Sequence, residues 1–345
     1  MHSVKDFWYI VAETRDLKKD AVIGCSVLGE WLALYRNQEG QAVAVLDRCL
    51  HRNARLSKGR VRDGQLVCPY HGWKYGTQGQ LTGIPSDGPA FKPRASACLP
   101  SFPVREQQGY IYVRLNSKLA KDVPETEPYS IPFFGLPGYQ HIRLKHVFEA
   151  KVPNCAENFI DIPHTTYVHP TIFRYESAPQ KMSAEVEVDR GSVHVRYLDE
   201  TSNFGLFSAF LNRSGRKIFH EDHYHLPNIT HVEYKFKKRR HFNITSQSVP
   251  VSDTETHVYT DLTYDYGPWN ALARPLVWWV AKKIIAQDVK IMREQSEVTT
   301  KYGEQFASTK ADLQHTWIEK IYAELLAGRD PRAIEGKKDV VEFWI

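Results

Sequence analysis

The sequence predicts an α+β protein composed of two units. Its 345 residues exceed the length of one typical domain. Strand-like patterns fill the first third of the chain, whereas helical patterns are confined to the region after residue 153. Between these regions, residues 116–139 contain four prolines, which exclude a helix or a central strand. We interpret this stretch as the connection between two domains.

The N-terminal unit is predicted to consist of β-strands. The runs "WLALYR" (31–36) and "AVAVLD" (42–47) flank the turn residues "NQEG" and predict a hairpin. Residues 109–115, "GYIYVRL", alternate aromatic and aliphatic side chains and predict a further strand. Two loops rich in Gly, Pro or Arg lie between these strands, and each carries one cysteine and one histidine.

The C-terminal unit is predicted to contain both strands and helices. The strand-like runs cover residues 141–152, 184–198 and 229–265, and the helical patterns cover about 154–168, 269–303 and 311–327. The last helical pattern has one apolar stripe and ends at a glycine, Gly328, which is a common residue just past a helix.

Composition and charge narrow the class of protein. Hydrophobic residues make up 42% and charged residues 25% of the chain, as in ordinary globular proteins, and the net charge of +5 does not indicate nucleic-acid binding. No signal peptide is recognisable, and the most apolar run, "PLVWWVAKKII", is interrupted by two lysines and too short to cross a bilayer. Five cysteines without an obvious disulfide framework fit a reducing compartment. We therefore expect a cytoplasmic protein without a membrane segment.

Two Cys-His pairs form the first candidate metal site. Cys49 and His51 stand on one loop, and Cys68 and His71 stand on the next. Structural Cys2His2 zinc sites usually pair like with like, whereas here each loop supplies one ligand of each type. This arrangement favours a two-iron cluster with both thiolates on one iron and both imidazoles on the other, which raises the reduction potential to roughly −150 to +300 mV. A zinc site and a chance arrangement of core cysteines and surface histidines are the alternatives.

A second candidate site lies in "ENFIDIPHTTYVHP", residues 157–170. Asp161, His164 and His169 combine a carboxylate with two imidazoles, the ligand set of non-haem Fe(II) oxygenases. Asp161 and His164, three apart, are predicted to share a helix face. His169 is about 140° away from that face in a regular helix, so we predict a π-type bulge or a helix end near residues 165–169. Histidines that line or cap an ordinary helix end are the alternative.

Both motifs resemble those of one family, the Rieske non-haem iron oxygenases. "CLHR" at 49–52 and "CPYHGW" at 68–73 are similar to its [2Fe–2S] motif, with Leu50 where Pro is common, and Asn158-x-x-Asp161-x-x-His164-x4-His169 resembles its mononuclear-iron motif. The resemblance implies a cluster bound by Cys49, His51, Cys68 and His71 and a mononuclear Fe(II) bound by His164 and His169. It implies that Asp161 is not a ligand and instead bridges His164 to a cluster-bound histidine of a neighbouring subunit.

The third iron ligand must then come from elsewhere in the chain. Asp288 is the best candidate, because it lies in a predicted helix beside an apolar face, where an unpaired carboxylate is costly. Family members carry their third ligand on a late helix of this kind. Glu294 is the second choice, and a solvated helical Asp288 is the alternative interpretation.

The resemblance also implies the architecture and the activity. It predicts an all-β Rieske domain at 1–118, a linker at 119–140 and a catalytic domain at 141–345 with a helix-flanked antiparallel sheet. Because no nicotinamide or flavin motif occurs, we expect an external reductase or ferredoxin to supply electrons. The chain length resembles that of vanillate-demethylase-type enzymes, which favours hydroxylation or oxidative demethylation of an apolar or aromatic substrate by a homotrimer.

Two other functions remain open at this point, cis-dihydroxylation by the same two metal sites and electron transfer without oxygenase activity. One further motif has no assigned role. The run "HEDHYH" (220–225) places His223 and His225 on one face of a predicted strand, and we interpret this cluster as the lining of a substrate pocket or as surface.

Overall fold

The chain folds as two compact units, which are divided in sequence between Ser130 and Ile131. The computed structural model describes residues 2–92, 96–121, 123–170, 172, 180–200, 218–237 and 240–345. The division lies inside the predicted linker 119–140, of which residue 122 is outside the described residues. The exact domain limits stay a prediction.

The described part of the first unit consists of short β-strands joined by loops and three short 3-10 helices. The strands are β1 (Tyr9–Glu13), β2 (Val22–Val27), β3 (Glu30–Arg36), β4 (Ala42–Leu46), β5 (Arg60–Arg62), β6 (Gln65–Val67), β7 (Lys74–Tyr75), β8 (Leu81–Gly83), β9 (Ser101–Phe102), β10 (Val104–Gln107) and β11 (Tyr110–Val113). They form three antiparallel sheets in the orders β1-β11-β10, β2-β3-β4-β9 and β5-β6-β7-β8. The predicted all-β character of this unit is confirmed.

The predicted hairpin of the first unit is present as β3 and β4, which pair antiparallel from Leu32 opposite Leu46 to Arg36 opposite Ala42. The inward side chains of this hairpin pack with those of β6 and β7 into one core, which includes Ala33, Tyr35 and Tyr75. Cys49 and Cys68 belong to the same core and are each only 1% exposed. The two cysteine loops are therefore anchored in a buried core of this unit.

The second unit is built on an antiparallel sheet of eight strands in the order β12-β18-β17-β16-β15-β14-β13-β19. Its strands are β12 (Gln140–Phe148), β13 (Lys181–Asp189), β14 (Ser192–Tyr197), β15 (Phe219–His225), β16 (Ile229–Lys237), β17 (Arg240–Pro250), β18 (Thr256–Asp265) and β19 (Lys337–Trp344). The predicted strand at 184–198 is a hairpin, because Arg190 and Gly191 both take positive φ values and reverse the chain. The predicted run at 229–265 comprises β16, β17 and β18, and its residues 238–239 lie outside the described residues.

Four α-helices accompany this sheet in the described residues, α1 (Val152–Ile160), α2 (His164–Val168), α3 (Asn270–Tyr302) and α4 (Leu313–Leu326). Helix α1 packs on β16 and β17, and α3 packs on β12. Apolar side chains from the sheet and all three long helices form one core, which includes Ile160, Ile285 and Ile318. The predicted helices at 269–303 and 311–327 correspond to α3 and α4, and the α+β class is confirmed. Among the helices of the described residues, none is both long and apolar enough to span a bilayer.

The predicted single helix at 154–168 is wrong, because the chain forms two helices there. Helix α1 ends at Ile160, and Asp161 is extended with φ −90° and ψ 114°. The cause is Pro163, which disfavours helical backbone at the residue before it. The prediction that Asp161 and His164 share a helix face is therefore wrong. The expected helix end near 165–169 is present, since α2 ends at Val168 and His169 leaves the helix with φ −118° and ψ 55°.

Candidate metal centres and cavity

The first cysteine loop follows β4 and is held by a buried carboxylate. Asp47 accepts hydrogen bonds from Arg55 Nε at 2.8 Å and from the backbone and hydroxyl of Ser57, both at 2.6 Å. Between Asp47 and these partners, the N–H of Cys49 donates to the carbonyl of Ala54 at 2.9 Å. The loop is closed upon itself, and Cys49 and His51 are fixed on its tip.

The second cysteine loop connects β6 and β7. The N–H of Cys68 donates to the carbonyl of Trp73 at 2.8 Å, and the N–H of Gly72 donates to the carbonyl of Cys68 at 3.1 Å. Gly72 has a φ of +71°, a conformation that L-residues rarely adopt. The glycine in "CPYHGW" therefore allows the tight turn that brings His71 back beside Cys68.

The two loops bring their four candidate ligands together. The rings of His51 and His71 lie 4.4 Å apart, and His51 stacks on Trp73 at 4.7 Å. Both cysteines are buried, whereas His71 is exposed and His51 is half-buried. Burial raises the pKa of the Cys68 thiol, and the neighbouring Cys49 contributes to the increase. Nδ1 of His51 is buried and has no hydrogen-bond partner among the described residues, which is consistent with a ligand atom that faces a metal.

His164, His169 and Asp288 converge in the second unit. Nε2 of His169 lies 3.0 Å from Oδ1 of Asp288, and Nε2 of His164 lies 3.7 Å from the same oxygen. The three candidate ligand atoms are all within 4.8 Å of one another. The break at Pro163 produces this arrangement, because it allows His164 to begin a short helix and His169 to follow the end of it.

The geometry of these three residues fits a divalent metal ion. Oδ1 of Asp288 is buried and makes no hydrogen bond in the described structure, although a histidine nitrogen lies 3.0 Å away. Two ligand atoms that are each about 2.1 Å from one ion and at about a right angle are separated by about 3.0 Å. The nitrogen and the oxygen are thus spaced as ligands of a common ion, and two imidazoles with one carboxylate are a known donor set for iron.

Both imidazoles of this site have a polar side chain near their other nitrogen. His169 Nδ1–H donates to Gln287 Oε1 at 3.0 Å, whereas Asp161 Oδ2 accepts the backbone N–H of His164 at 3.2 Å and lies 3.3 Å from its Nδ1. Burial lowers the pKa of His164, but Asp161 and Asp288 favour its charged form and the net pKa is raised. Contacts of this kind fix the ring and leave Nε2 for a metal. Gln287 was missed by sequence reasoning, because a glutamine in a helix carries no signal of such a contact.

Glu294, the second choice for the third ligand, does not approach this group. It lies on the exposed side of α3, 4.0 Å from Lys290 Nζ. Asp288 on the same helix is only 4% exposed. Of the two carboxylates, Asp288 is the one that the fold brings to His164 and His169.

Comparison with known proteins identifies the family. Residues 7–103 match the family described as Rieske [2Fe-2S] domain, and residues 148–327 match the Vanillate O-demethylase oxygenase C-terminal domain. The second match covers more than half of the chain. The chain belongs to this family of Rieske oxygenases. The recognition from sequence is confirmed, and so are the two cofactors, since a Rieske domain carries a [2Fe–2S] cluster and this oxygenase family uses a mononuclear non-haem iron.

Several relatives of this Rieske oxygenase are demethylases. The Vanillate O-demethylase oxygenase subunit of Pseudomonas sp. (strain HR199 / DSM 7063) is 32% identical over 61% of this chain and 58% of its own length. Dicamba O-demethylase, oxygenase component, of Stenotrophomonas maltophilia is 32% identical over 56% and 55%. Protein TIC 55 of Arabidopsis thaliana is 32% identical over 47% of this chain and 30% of its own length. The chain therefore matches between about a third and just over half of the length of these relatives.

Solved structures agree with the family in fold. Dicamba monooxygenase bound to dicamba superposes with a TM-score of 0.77 at 22% identity and covers 95% of this chain and 98% of its own. NdmA of Pseudomonas putida CBB5 with caffeine gives a TM-score of 0.74 at 21% identity, with coverages of 94% and 91%. At these identities the likeness shows the fold alone.

A cavity lies between the helices and the sheet in the second unit of this Rieske oxygenase. Its volume is about 130 Å³, and His164, His169 and Asp288 line it from the helices. Most of the remaining lining is apolar, including Phe159, Val277 and Leu262. A dry apolar cavity of about 150 Å³ can hold benzene, so this cavity has the size and character for one ring.

One polar group on the sheet also lines the cavity. His220 and Asp222 on β15 point inward, while His223 and His225 lie on the other face of the same strand. Glu200 and Asp222 bind the two ring nitrogens of His220 at 2.5 and 2.9 Å. The motif "HEDHYH" is thus divided between a cavity wall and the outer face of the sheet. Sequence reasoning missed Glu200, because nothing near it in the sequence marks it as a partner of His220.

Proposed function

We propose that this chain is the terminal oxygenase component of a system that inserts one oxygen atom from O₂ into a small aromatic or apolar substrate, by hydroxylation or oxidative demethylation. In this proposal His164, His169 and Asp288 bind the mononuclear iron, and Cys49, His51, Cys68 and His71 bind the cluster. The single observation that carries it is the convergence of the three candidate ligands at the wall of an apolar cavity.

The residues of the site have distinct roles in this proposal. When bound, the mononuclear iron supplies the activation of O₂, because two imidazoles and one carboxylate leave coordination positions open. Gln287 and Asp161 hold the imidazole rings so that both Nε2 atoms face Asp288. Apolar side chains such as Phe159 and Val277 orient a flat substrate and exclude water from the reacting carbon.

Electrons reach the chain from an external reductase or ferredoxin in this proposal. The half-buried and exposed imidazoles of His51 and His71 support it, because they place one side of the cluster near the protein surface. None of the five cysteines, all of which lie in the described residues, forms a disulfide, which supports a reducing, cytoplasmic compartment.

Asp161 is proposed to connect the iron site to the cluster of a neighbouring subunit in a head-to-tail homotrimer. Its Oδ2 faces His164, and its Oδ1 has no hydrogen-bond partner in the described structure. A carboxylate can accept hydrogen bonds on both oxygens, so it can join two imidazoles. Because Oδ1 is covered in the single chain, the bridge requires the side chain to turn.

Iron content and product analysis test this function. An oxygenase holds about three iron ions per chain, two in the cluster and one in the mononuclear site, whereas an electron carrier holds two. With a surrogate reductase and a panel of methoxylated aromatic compounds, the wild type should consume O₂ and release formaldehyde. His164→Ala should keep the cluster absorbance, lose about one iron and stop turnover.

His223→Ala is the matched control, since His223 lies on the outer face of β15. It should retain about three iron ions and full turnover. Detection of a cis-dihydroxylated product would show that the reaction is ring dihydroxylation and not monooxygenation. Zinc in place of iron, or turnover by His164→Ala at the wild-type rate, would remove the proposed iron site.

A further inference from the structure

The cavity of the second unit contains a buried polar group whose chemistry restricts the substrate. We infer that Asp222, held by His220, Glu200 and Tyr197, binds a hydrogen-bond donor of the substrate, a hydroxyl or an N–H group, and that the site disfavours a substrate carboxylate. This inference rests on the proposed function, because it takes the cavity beside His164, His169 and Asp288 as the substrate site. It goes further by assigning the chemical class of the substrate.

Hydrogen bonds and ring contacts connect the residues of this polar group. His220 Nδ1–H donates to Glu200 Oε2 at 2.5 Å, and Nε2–H donates to Asp222 Oδ1 at 2.9 Å. Tyr197 OH donates to Asp222 Oδ2 at 3.1 Å. The His220 ring also lies between two aromatic rings, those of Tyr197 at 4.5 Å and Tyr234 at 4.1 Å. Asp222 is therefore held in one orientation, and all five residues are less than one-tenth exposed.

Hydrogen-bond capacity decides what this group can offer to a ligand. An imidazolium has two N–H donors, and both of those on His220 are directed to carboxylates. A carboxylate has about four acceptor positions, and His220 and Tyr197 occupy two of those on Asp222. Since Asp222 lines the cavity, the group presents acceptor positions to a ligand and no donor from His220.

Charge leads to the same conclusion. One imidazolium and two carboxylates leave the group with a net charge of −1. Asp161 and Asp288 also line the cavity, and no lysine or arginine does so in the part of the chain that the structure describes. A bound Fe(II) would offset Asp288 and add one positive charge, so Asp161 and the His220 group would leave the loaded cavity with a net charge of −1. A substrate carboxylate would be buried near like charge without a basic side chain among the described residues to pair with, which is unfavourable. A phenol, an N–H heterocycle or a protonated amine would instead donate to Asp222.

The helix and sheet walls of the cavity provide two separate anchors. His164 is on α2, His169 directly follows the end of α2 and Asp288 is on α3, whereas Asp222 is on β15. A substrate that donates to Asp222 is held by its polar group on the sheet side, and its apolar part extends along the cavity toward the helices. The donor thus selects which end of the ring system faces the iron ligands.

Binding of four matched single-ring compounds to the iron-loaded protein tests this inference. The compounds are 3-methoxyphenol, 3-methoxybenzylamine, 1,3-dimethoxybenzene and 3-methoxybenzoate, measured by anaerobic calorimetric titration so that no turnover is needed. A hydrogen bond to a charged acceptor predicts that the phenol binds roughly tenfold or more tightly than the dimethoxy compound, which has no donor. The benzoate should bind more weakly than both. Comparison of the phenol with the amine distinguishes a neutral from a cationic donor.

Asp222→Asn keeps the shape of the side chain and removes its charge. This variant should reduce the preference for the phenol over the dimethoxy compound to less than about threefold and should improve benzoate binding. Glu221→Gln is the matched control, because Glu221 is the adjacent residue on β15, faces the other side and pairs with Arg196. It should retain the wild-type preferences.

The wild-type series decides the matter even if Asp222→Asn does not fold. Tighter binding of the benzoate than of the phenol, equal binding of the phenol and the dimethoxy compound, or an unchanged preference in a folded Asp222→Asn variant would each overturn the inference. Absence of binding by all four compounds would also contradict it. In each of these cases the proposed oxygenase function stands if iron content and formaldehyde release are as expected, so the two can fail separately.

Discussion

The hydroxyl of Tyr75 lies 3.1 Å from the Sγ atom of Cys49 in the core of the first unit. The N–H of Leu50 donates to the same hydroxyl oxygen, also at 3.1 Å. A Cys49 thiolate bound to the cluster would carry no proton, so the Tyr75 hydroxyl would be the donor to the sulfur. A hydrogen bond to a cluster sulfur stabilises the more negative, reduced state and raises the reduction potential.

Replacement of Tyr75 by Phe should therefore lower the reduction potential of the cluster. A net hydrogen-bond free energy of about 0.5–1.5 kcal/mol corresponds to about 20–60 mV for one electron. Redox titration of the cluster absorbance measures the change. Tyr35→Phe is the control, since Tyr35 is buried in the same core and its hydroxyl has no partner in the described structure. An equal potential in Tyr75→Phe and the wild type would contradict the assigned hydrogen bond.

The choice of the third iron ligand leads to a second prediction. Asp288→Asn should lose the mononuclear iron and retain the cluster, because a neutral amide is a weaker ligand than the carboxylate that lies 3.0 Å from His169. Glu294→Gln should retain both metal centres, since Glu294 is exposed on the same helix. Iron analysis of the purified variants, normalised to cluster absorbance, distinguishes them. Iron loss in Glu294→Gln alone would reverse the assignment.

Gln287 gives a third prediction, which sequence reasoning alone does not make. Its Oε1 accepts the Nδ1 proton of His169, so Gln287→Leu removes the group that fixes this ring. Loss of such an orienting contact typically lowers metal affinity about 10–100-fold. Titration of Fe(II) into the metal-depleted protein measures it. Gln287→Glu, which keeps an acceptor at this position, should recover most of the affinity, and if it does not, the orienting role is wrong.

Asp161 gives a fourth prediction, on electron transfer. Asp161→Asn removes the negative charge beside Nδ1 of His164 but changes no candidate ligand. We expect both metal centres to be retained and the reoxidation of the reduced cluster during single turnover to slow by about tenfold or more, as for loss of a positioned charged contact. Rapid-mixing absorbance measures this rate. Reoxidation at the wild-type rate would show that Asp161 does not connect the centres.

The buried His220 group predicts a loss of stability at alkaline pH. Burial lowers the pKa of His220, but Asp222 and Glu200 outweigh this effect and raise it from 6.5 to about 9. A group with a higher pKa in the folded state stabilises the fold fully below pH 6.5 and loses that contribution as the pH rises to about 9. The difference corresponds to about 3 kcal/mol of unfolding free energy. Urea unfolding at pH 6.5 and pH 9 measures it.

His220→Gln should abolish most of this fall in stability between pH 6.5 and 9. His225→Gln is the control. Burial is the main cause that lowers the pKa of His225 to about 4, and the positive charges of the nearby His223 and His194 lower it further. That group is neutral in both states above pH 6.5, so its removal should leave the fall unchanged. The same pH dependence in His220→Gln and the wild type would exclude His220 as its source.

The sequence predicted those features that depend on residues close together in the chain. Each Cys-His pair sits on a single loop, so the cluster site could be recognised from spacing. Asp288 could be proposed as the third ligand, because an unpaired acid beside an apolar helix face is costly and the family carries this ligand on a late helix. The path between Asp161 and His164 was misjudged, because helical spacing was applied across the residues before Pro163, where helical backbone is disfavoured and Asp161 is extended. Gln287 and Glu200 could not be predicted, because their partners are brought to them only by packing of distant segments.

The candidate iron ligands and the polar anchor at Asp222 occupy different secondary structure elements, the helices and strand β15. On the proposed assignments, replacements at inward positions of β15 would change which compound is accepted without disturbing the candidate iron ligands. Proteins of this architecture could therefore differ in substrate specificity while they keep one oxidation chemistry. The inward positions of β15 are the first ones to change in an engineered variant.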